Sequence, residues 1–387
     1  MILKLICHLH VTNDFNPVVN FSFLGRYSAQ TTMANTTVCG NLEDQSFPIK
    51  LVKILCYSLI LITSLLGNTA IIAITARNSR TLTSINYLIA NMAASDLLVS
   101  IFAVPNQLYQ VIFGERAWLI DGIMGSILCK LVFFCQDIST AVSIQSLVVI
   151  SMERYRAIVY PFRPAVITPK RCKFIIPLIW LASVSLHGIY FYAARLESIN
   201  NTTICDFRWD PQFDNRQTME RFVAVVLVLI VFLPFCFTIF TYSRILWVLR
   251  NSEVSQHRAE NSRVFKNVCA IMIAFACCVL PIDIFAILFY FVWKWKPPCN
   301  MIQFGVFSRF ALISNSAISP IISLVRFDRY RQGLKDMFQT VSKHFWGKDG
   351  VGNISNLDDL ELKKASIHRG NERISVRDSG ITSFSSV

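Results

Sequence analysis

At 387 residues with 53% hydrophobic and only 16% charged side chains, the chain is too apolar for a soluble domain of ordinary composition, so its apolar mass has to face lipid. A net charge of +13 would suit a nucleic-acid binder, but the Lys and Arg residues cluster between apolar runs instead of forming a groove-lining patch. Nucleic acid is therefore excluded as the expected partner.

Residues 1–48 are polar and irregular, with sequons at Asn20 (Asn-Phe-Ser) and Asn35 (Asn-Thr-Thr), which reads as an exposed, glycosylated tail. The opening MILKLICHLH is short and ill-flanked for a signal peptide, and Met33 is an alternative start. The first apolar span, Leu51 to Ala76, contains Gly67-Asn68, and an isolated intramembrane Asn is expected to bond a neighbouring helix. The second span, Ile85 to Tyr109, contains Asn91-Met-Ala-Ala-Ser-Asp96-Leu97. A carboxylate at mid-membrane needs a cation, a proton or a ring of donors.

The third span is the helix-forming run from Cys129 to Pro161, with Gln136 and Asp137 two turns in and Glu153-Arg154-Tyr155 at its end. Its closing string ERYRAIVYP, together with Cys129 at its start, resembles the third helix of the rhodopsin-like (class A) G-protein-coupled receptors, whose pattern is Asp/Glu-Arg-Tyr-x-x-Ile-x-x-Pro. Gly67-Asn68 and the Asn91 to Leu97 string match the same family. The resemblance implies an all-α membrane protein, a seven-transmembrane helix bundle with a short amphipathic eighth helix. At Asp96 it favours an allosteric sodium ion with Ser143, Asn315 and Ser316 as neighbours; a protonated Asp96 in a polar cluster is the alternative.

Trp118 stands in the next loop as in the family, and Trp180 in the fourth span, Phe174 to Ala194. The loop from Arg195 to Arg221 carries sequons at Asn200 and Asn201 and then Cys205. The family's disulfide would join Cys129 to Cys205, and Cys39 with Cys299 is a candidate second bridge. The remaining cysteines read as free buried thiols. Pro234 and Tyr242 in the fifth span, Phe222 to Trp247, also match. In the sixth, Phe265 to Trp293, Phe275-Ala-Cys-Cys278-Val279-Leu280-Pro281 follows the pattern Phe-x-x-Cys-Trp-x-Pro, except that Val279 replaces the tryptophan. In the seventh, Met301 to Val325, Asn315, Ser316 and Pro320 keep the pattern Asn-Ser-x-x-Asn-Pro-x-x-Tyr while Ser319 and Ser323 depart from it.

An amphipathic helix on the inner membrane surface is expected over Phe327 to Phe338, giving a receptor domain over 49–338. Residues 339–387 read as a disordered tail whose Ser375, Ser379, Thr382, Ser383, Ser385 and Ser386 suit phosphorylation and an arrestin-like partner. With the basic loops and this tail inside, most Lys and Arg lie in the cytoplasm and the four sequons outside, so the N-terminus is extracellular and the C-terminus cytoplasmic. The expected location is the cell membrane.

Gln136 occupies the position where amine receptors of the family carry an aspartate, and the last span has no lysine for retinal. Gln107, Tyr109, Gln136, Asp137, His187, Asp283 and Arg309 are the candidate ligand-binding set. Asp283 and Arg309 read either as an ion pair tying two helices or as part of a site for a basic or amidated peptide, with Asp206, Asp210, Asp214 and Glu220 as an acidic rim. The expected activity is that of a non-enzymatic peptide receptor signalling to a heterotrimeric G protein through Glu153, Arg154, Tyr155, Tyr242, Pro281 and Pro320. Three departures, Val279, Ser319 and Ser323, leave open a non-signalling decoy, scavenger or heterodimer subunit; a receptor for a non-peptide small molecule is the other alternative.

Overall fold

Helices form where apolar side chains recur at helical spacing, and they run long because lipid offers their backbone groups no other partner. The computed structural model describes residues 47–77, 83–114, 118, 120–199, 202–251 and 256–345. Among these are seven helices long and apolar enough to cross a membrane. They are α1 (Phe47–Arg77), α2 (Ser84–Phe113), α3 (Gly122–Val159), α4 (Pro169–Ala193), α5 (Asn215–Asn251), α6 (Ser262–Val292) and α7 (Cys299–Arg326). Helical turns from Gln256 lead into α6, and α8 (Asp328–Phe345) follows α7. Between α4 and α5 lies a hairpin in which β1 (Ala194–Ile199) pairs antiparallel with β2 (Thr202–Phe207), Leu196 opposite Cys205.

The first helix shows how the surface divides. Leu55, Leu59, Ile62 and Leu66, spaced by four and three, are exposed and form a stripe for lipid. Tyr57, Ile60, Ser64, Asn68 and Ile71 are buried against α2 and α7. The axis of the bundle is α3, which packs on α2, α4, α5, α6 and β1.

Polar ties fix the register of these helices. Asn91 Nδ2 donates to Ser146 Oγ on α3 at 3.0 Å, and its Oδ1 accepts from Trp180 Nε1 on α4 at 2.8 Å. Asn68 Nδ2 donates to the Ser316 carbonyl on α7 at 3.0 Å. Each such bond is worth about 0.6 kcal/mol in a membrane, so packing must supply the rest. Close packing of α1 on α7 falls at Gly67, where an added Cβ would stand 2.8 Å from Cβ of Pro320. Gly67→Ala is accordingly expected to part α1 from α7 and cost about 1–3 kcal/mol. The check is the thermal midpoint of the detergent-purified protein; no drop would mean that α7 yields at Pro320.

Two helices carry a π-helical turn just before a proline: Val99–Ala103 before Pro105, and Leu227–Phe232 before Pro234. A proline has no N–H for the carbonyl four residues back, and the loosened ladder admits the wider turn. A third such turn, Leu288–Val292, ends α6, where Trp293 N donates to the Leu288 carbonyl at 2.7 Å.

Several boundaries differ from the sequence reading. The third helix starts at Gly122 instead of Cys129, because the apolar run GIMGSI continues it backwards. The fifth starts at Asn215 instead of Phe222, set by Asp214, whose Oδ1 caps the helix by accepting from Gln217 N at 2.6 Å. The eighth runs to Phe345 and not Phe338, as Asp336 ties Gln332 and Thr340 along one face. Asn20, Asn35, Asn200, Asn201 and the tail serines lie outside the described residues.

Candidate functional site

At the hairpin end of the bundle, a disulfide joins Cys129 on α3 to Cys205 on β2, with the two Cα atoms 5.7 Å apart. It holds the strand over the helices, and Phe207 on the same strand packs on Phe133 and Tyr190 with ring centroids 4.7 and 5.0 Å away. From the turn between α6 and α7, Trp295 packs on Phe289 and Tyr290 and donates through Nε1 to Glu220 Oε1 at 2.9 Å. Lys294 and Trp295 hold φ of 48° and 71°. Left-handed backbone costs an L residue about 1–2 kcal/mol, which the packing of Trp295 offsets here. Cys299 is also disulfide-bonded, while Cys39 lies outside the described residues.

Beneath this cover sit the buried acids. The Tyr190 hydroxyl donates to Asp137 Oδ2, and His187, within electrostatic reach of Asp137, bonds the Ser183 carbonyl through Nδ1 at 3.0 Å. Asp283, on α6, is close enough for its charge to repel that of Asp137, and its Oδ2 is buried with no hydrogen-bond partner. Arg309 attracts Asp137 from α7. Gln107 Nε2 donates to Gln110 Oε1 at 3.2 Å, Tyr109 stacks on Phe113 at 4.6 Å, and the Gln136 carbonyl accepts from Thr140 Oγ1 at 3.3 Å. These bonds stay within single helices.

Sequence reasoning misses Tyr190, which partners Asp137 only because α4 is interrupted at Gly188 and resumes as the short turn Tyr190–Ala193. The rim acids, by contrast, all have partners in the fold. Asp206 Oδ1 accepts from Phe207 N at 2.8 Å, Asp210 meets Arg208 at 3.5 Å, Asp214 caps α5, and Glu220 holds Arg216 at 3.1 Å as well as Trp295. Arg208 also pairs with Glu197 across the hairpin.

At mid-bundle, Ser139 Oγ donates to Asp96 Oδ1 at 3.4 Å. Ser143, the expected neighbour, instead bonds Ser95 Oγ at 3.3 Å, and Ser316 Oγ bonds the Ile313 carbonyl at 2.9 Å. Rotation of α3 places the serine one turn earlier against the carboxylate. Asp96 Oδ2, Asn68 Oδ1 and Asn315 Oδ1 are buried acceptors without protein donors, a set that suits a hard cation. A small cavity, with room for about one water, opens beside Asp96 and Asn68, and Ser319 and Ser323 stand on its wall.

At the opposite end, Arg154 is paired with the adjacent Glu153 and, among the described residues, bonds nothing else. Tyr155 meets Tyr160 edge-on at 5.9 Å. Tyr242 stacks on Phe265 at 5.2 Å over a buried cluster with Ile158 and Ile245, and its hydroxyl has no hydrogen-bond partner. Pro281 and Pro320 lie inside α6 and α7.

Comparison with known proteins accords with this arrangement. The model of the family "7 transmembrane receptor (rhodopsin family)" matches residues 67–322. Neuropeptide receptor 22 of Caenorhabditis elegans is 28% identical over 305 residues, 74% of this chain and 69% of that protein. Galanin receptor 2b of Danio rerio is 27% identical over 318 residues, 80% of this chain and 81% of that protein. Neuropeptide FF receptor 2 of Rattus norvegicus is 28% identical over 319 residues, 76% and 74% of the two chains. With its seven membrane-spanning helices and this match across most of the bundle, the chain belongs to the rhodopsin family of G-protein-coupled receptors and is a multi-pass membrane receptor, not an enzyme.

Proposed function

We propose that this receptor binds an extracellular peptide with a basic or amidated group and relays the event to a heterotrimeric G protein. Its N-terminus then lies outside and its C-terminus in the cytoplasm. One observation carries the reading: Asp283 keeps a buried carboxylate oxygen without a donor, within electrostatic reach of Asp137, so the upper bundle holds two neighbouring acids of which one offers an open acceptor to a ligand cation. A ligand arginine would meet a carboxylate at both oxygens. The names of the relatives, receptors for neuropeptides and galanin among them, support a peptide and favour signalling over a decoy. Screening a peptide library on transfected cells for G-protein activation tests this directly: arginine-containing peptides are expected among the agonists, and a native agonist without positive charge would overturn it.

The reading extends to other partners. The phosphorylated tail serves an arrestin-like protein, and the exposed Leu334 and Phe338 of α8 rest on membrane lipid. Sodium sits at Asp96 among the acceptors Asn68 and Asn315, near Ser143 and Ser316. Sodium should then lower agonist affinity in the wild-type receptor, and Asp96→Asn should abolish that sensitivity; equal sensitivity in the variant would rule the site out.

A further inference from the structure

A receptor of this build needs something to keep the cytoplasmic end of α6 against the bundle until ligand arrives. Among the described residues Arg154 bonds only Glu153, on the same helix. Nor is there a bulky side chain at Ser319 or Ser323 to fill the space facing α6, where Ile271 borders the cavity. Two polar contacts instead run from α6 to the elbow between α7 and α8. Asn267 Nδ2 donates to the Arg326 carbonyl at 2.8 Å, with Asn267 buried, and the Arg263 guanidinium pairs with Asp328 at 2.8 Å one turn further out.

The position of the first contact matters. Arg326 is the last residue of α7, so its carbonyl belongs to a helix end that has run out of backbone donors, and the Asn267 amide supplies one. Asp328, in the first turn of α8, is in turn favoured there by the helix dipole, which fixes it as an anchor for Arg263. Both contacts face the same junction from successive turns of α6, because residues 263 and 267 are four apart. Any outward swing of α6 must break both.

We infer that Asn267 and Arg263 form a latch that holds α6 to the α7–α8 elbow and sets the ligand-independent activity of the receptor. They are positioning residues, acting through where α6 lies. The proposal rests on the receptor reading, so its test uses a readout of α6 position as well as one of signalling. A fluorophore on Lys266→Cys, an exposed site between the two latch residues, reports the fraction of α6 swung outward; Cys236 and Cys277, the exposed free thiols among the described residues, are replaced by serine in that background.

In the purified, ligand-free receptor Asn267→Ala should raise the outward-to-inward ratio about three- to fivefold, as expected for a buried hydrogen bond. Asp328→Arg should raise it about twofold, as expected for an exposed ion pair. The exchange Arg263→Asp with Asp328→Arg should bring it back towards the starting value relative to Asp328→Arg alone, which a general loss of stability would not do. Basal nucleotide exchange on a G protein should rise in parallel, at equal surface expression. An unchanged ratio in Asn267→Ala, or an exchange variant no closer to the starting value than Asp328→Arg alone, overturns the latch. A ratio that shifts as stated while no G protein responds leaves the latch standing and refutes the signalling function instead.

Discussion

Asp283→Asn and Asp137→Asn are each expected to weaken a basic peptide agonist by about 2–5 kcal/mol, against less than about 1 kcal/mol for Asp210→Asn. The contrast follows from where each carboxylate stands. Asp283 is on α6 with an oxygen buried and unbonded, and Asp137 has Tyr190 as its one hydrogen-bond donor. A ligand cation placed between them would be shielded from water, and its loss would leave buried charge uncompensated. Asp210 already meets Arg208 at 3.5 Å and its side chain is 46% exposed, so water replaces whatever a ligand removes. Concentration–response curves for one arginine-containing agonist across the three variants decide the matter. Potency indifferent to both buried substitutions would show that the acids serve the fold alone.

The second large effect concerns the bridge at the hairpin. Cys129→Ser or Cys205→Ser should lower stability by about 2–5 kcal/mol, because the bond closes a loop of 76 residues containing all of α4. The loss should appear as reduced surface expression and a lower thermal midpoint, equal in the two single variants and no greater in the double. Buried Cys135, Cys172 and Cys278 are free thiols, and their replacement by alanine should not reproduce the pattern. Wild-type midpoints in both serine variants would mean that hairpin packing alone holds the loop.

Much of the fold is legible in the sequence for a simple reason: lipid demands long apolar runs, and charged residues then mark where each run must stop. The seven spans, and the segment after α7 that becomes α8, follow from that pattern. What escapes it is rotation about a helix axis. Ser139 and Ser143 lie one turn apart on the same face of α3, and only the seating of α3 against α2 decides which reaches Asp96. The π-helical turns have the same effect, since one inserted residue turns everything beyond it by about 100°.

The hairpin also has a kinetic meaning. Its second strand is bonded covalently to α3 and wedges Phe207 against Phe133 and Tyr190, while Trp295 closes the other side. On the proposed function, a ligand travelling to Asp137 or Asp283 would have to part these rings on the way in and again on the way out. The barrier is therefore common to both directions, so loosening the cover would speed arrival and departure together and leave the equilibrium almost where it was. Duration of occupancy and strength of binding would then be separately adjustable properties, the first set by aromatic rings at the mouth and the second by the carboxylates proposed to meet the ligand.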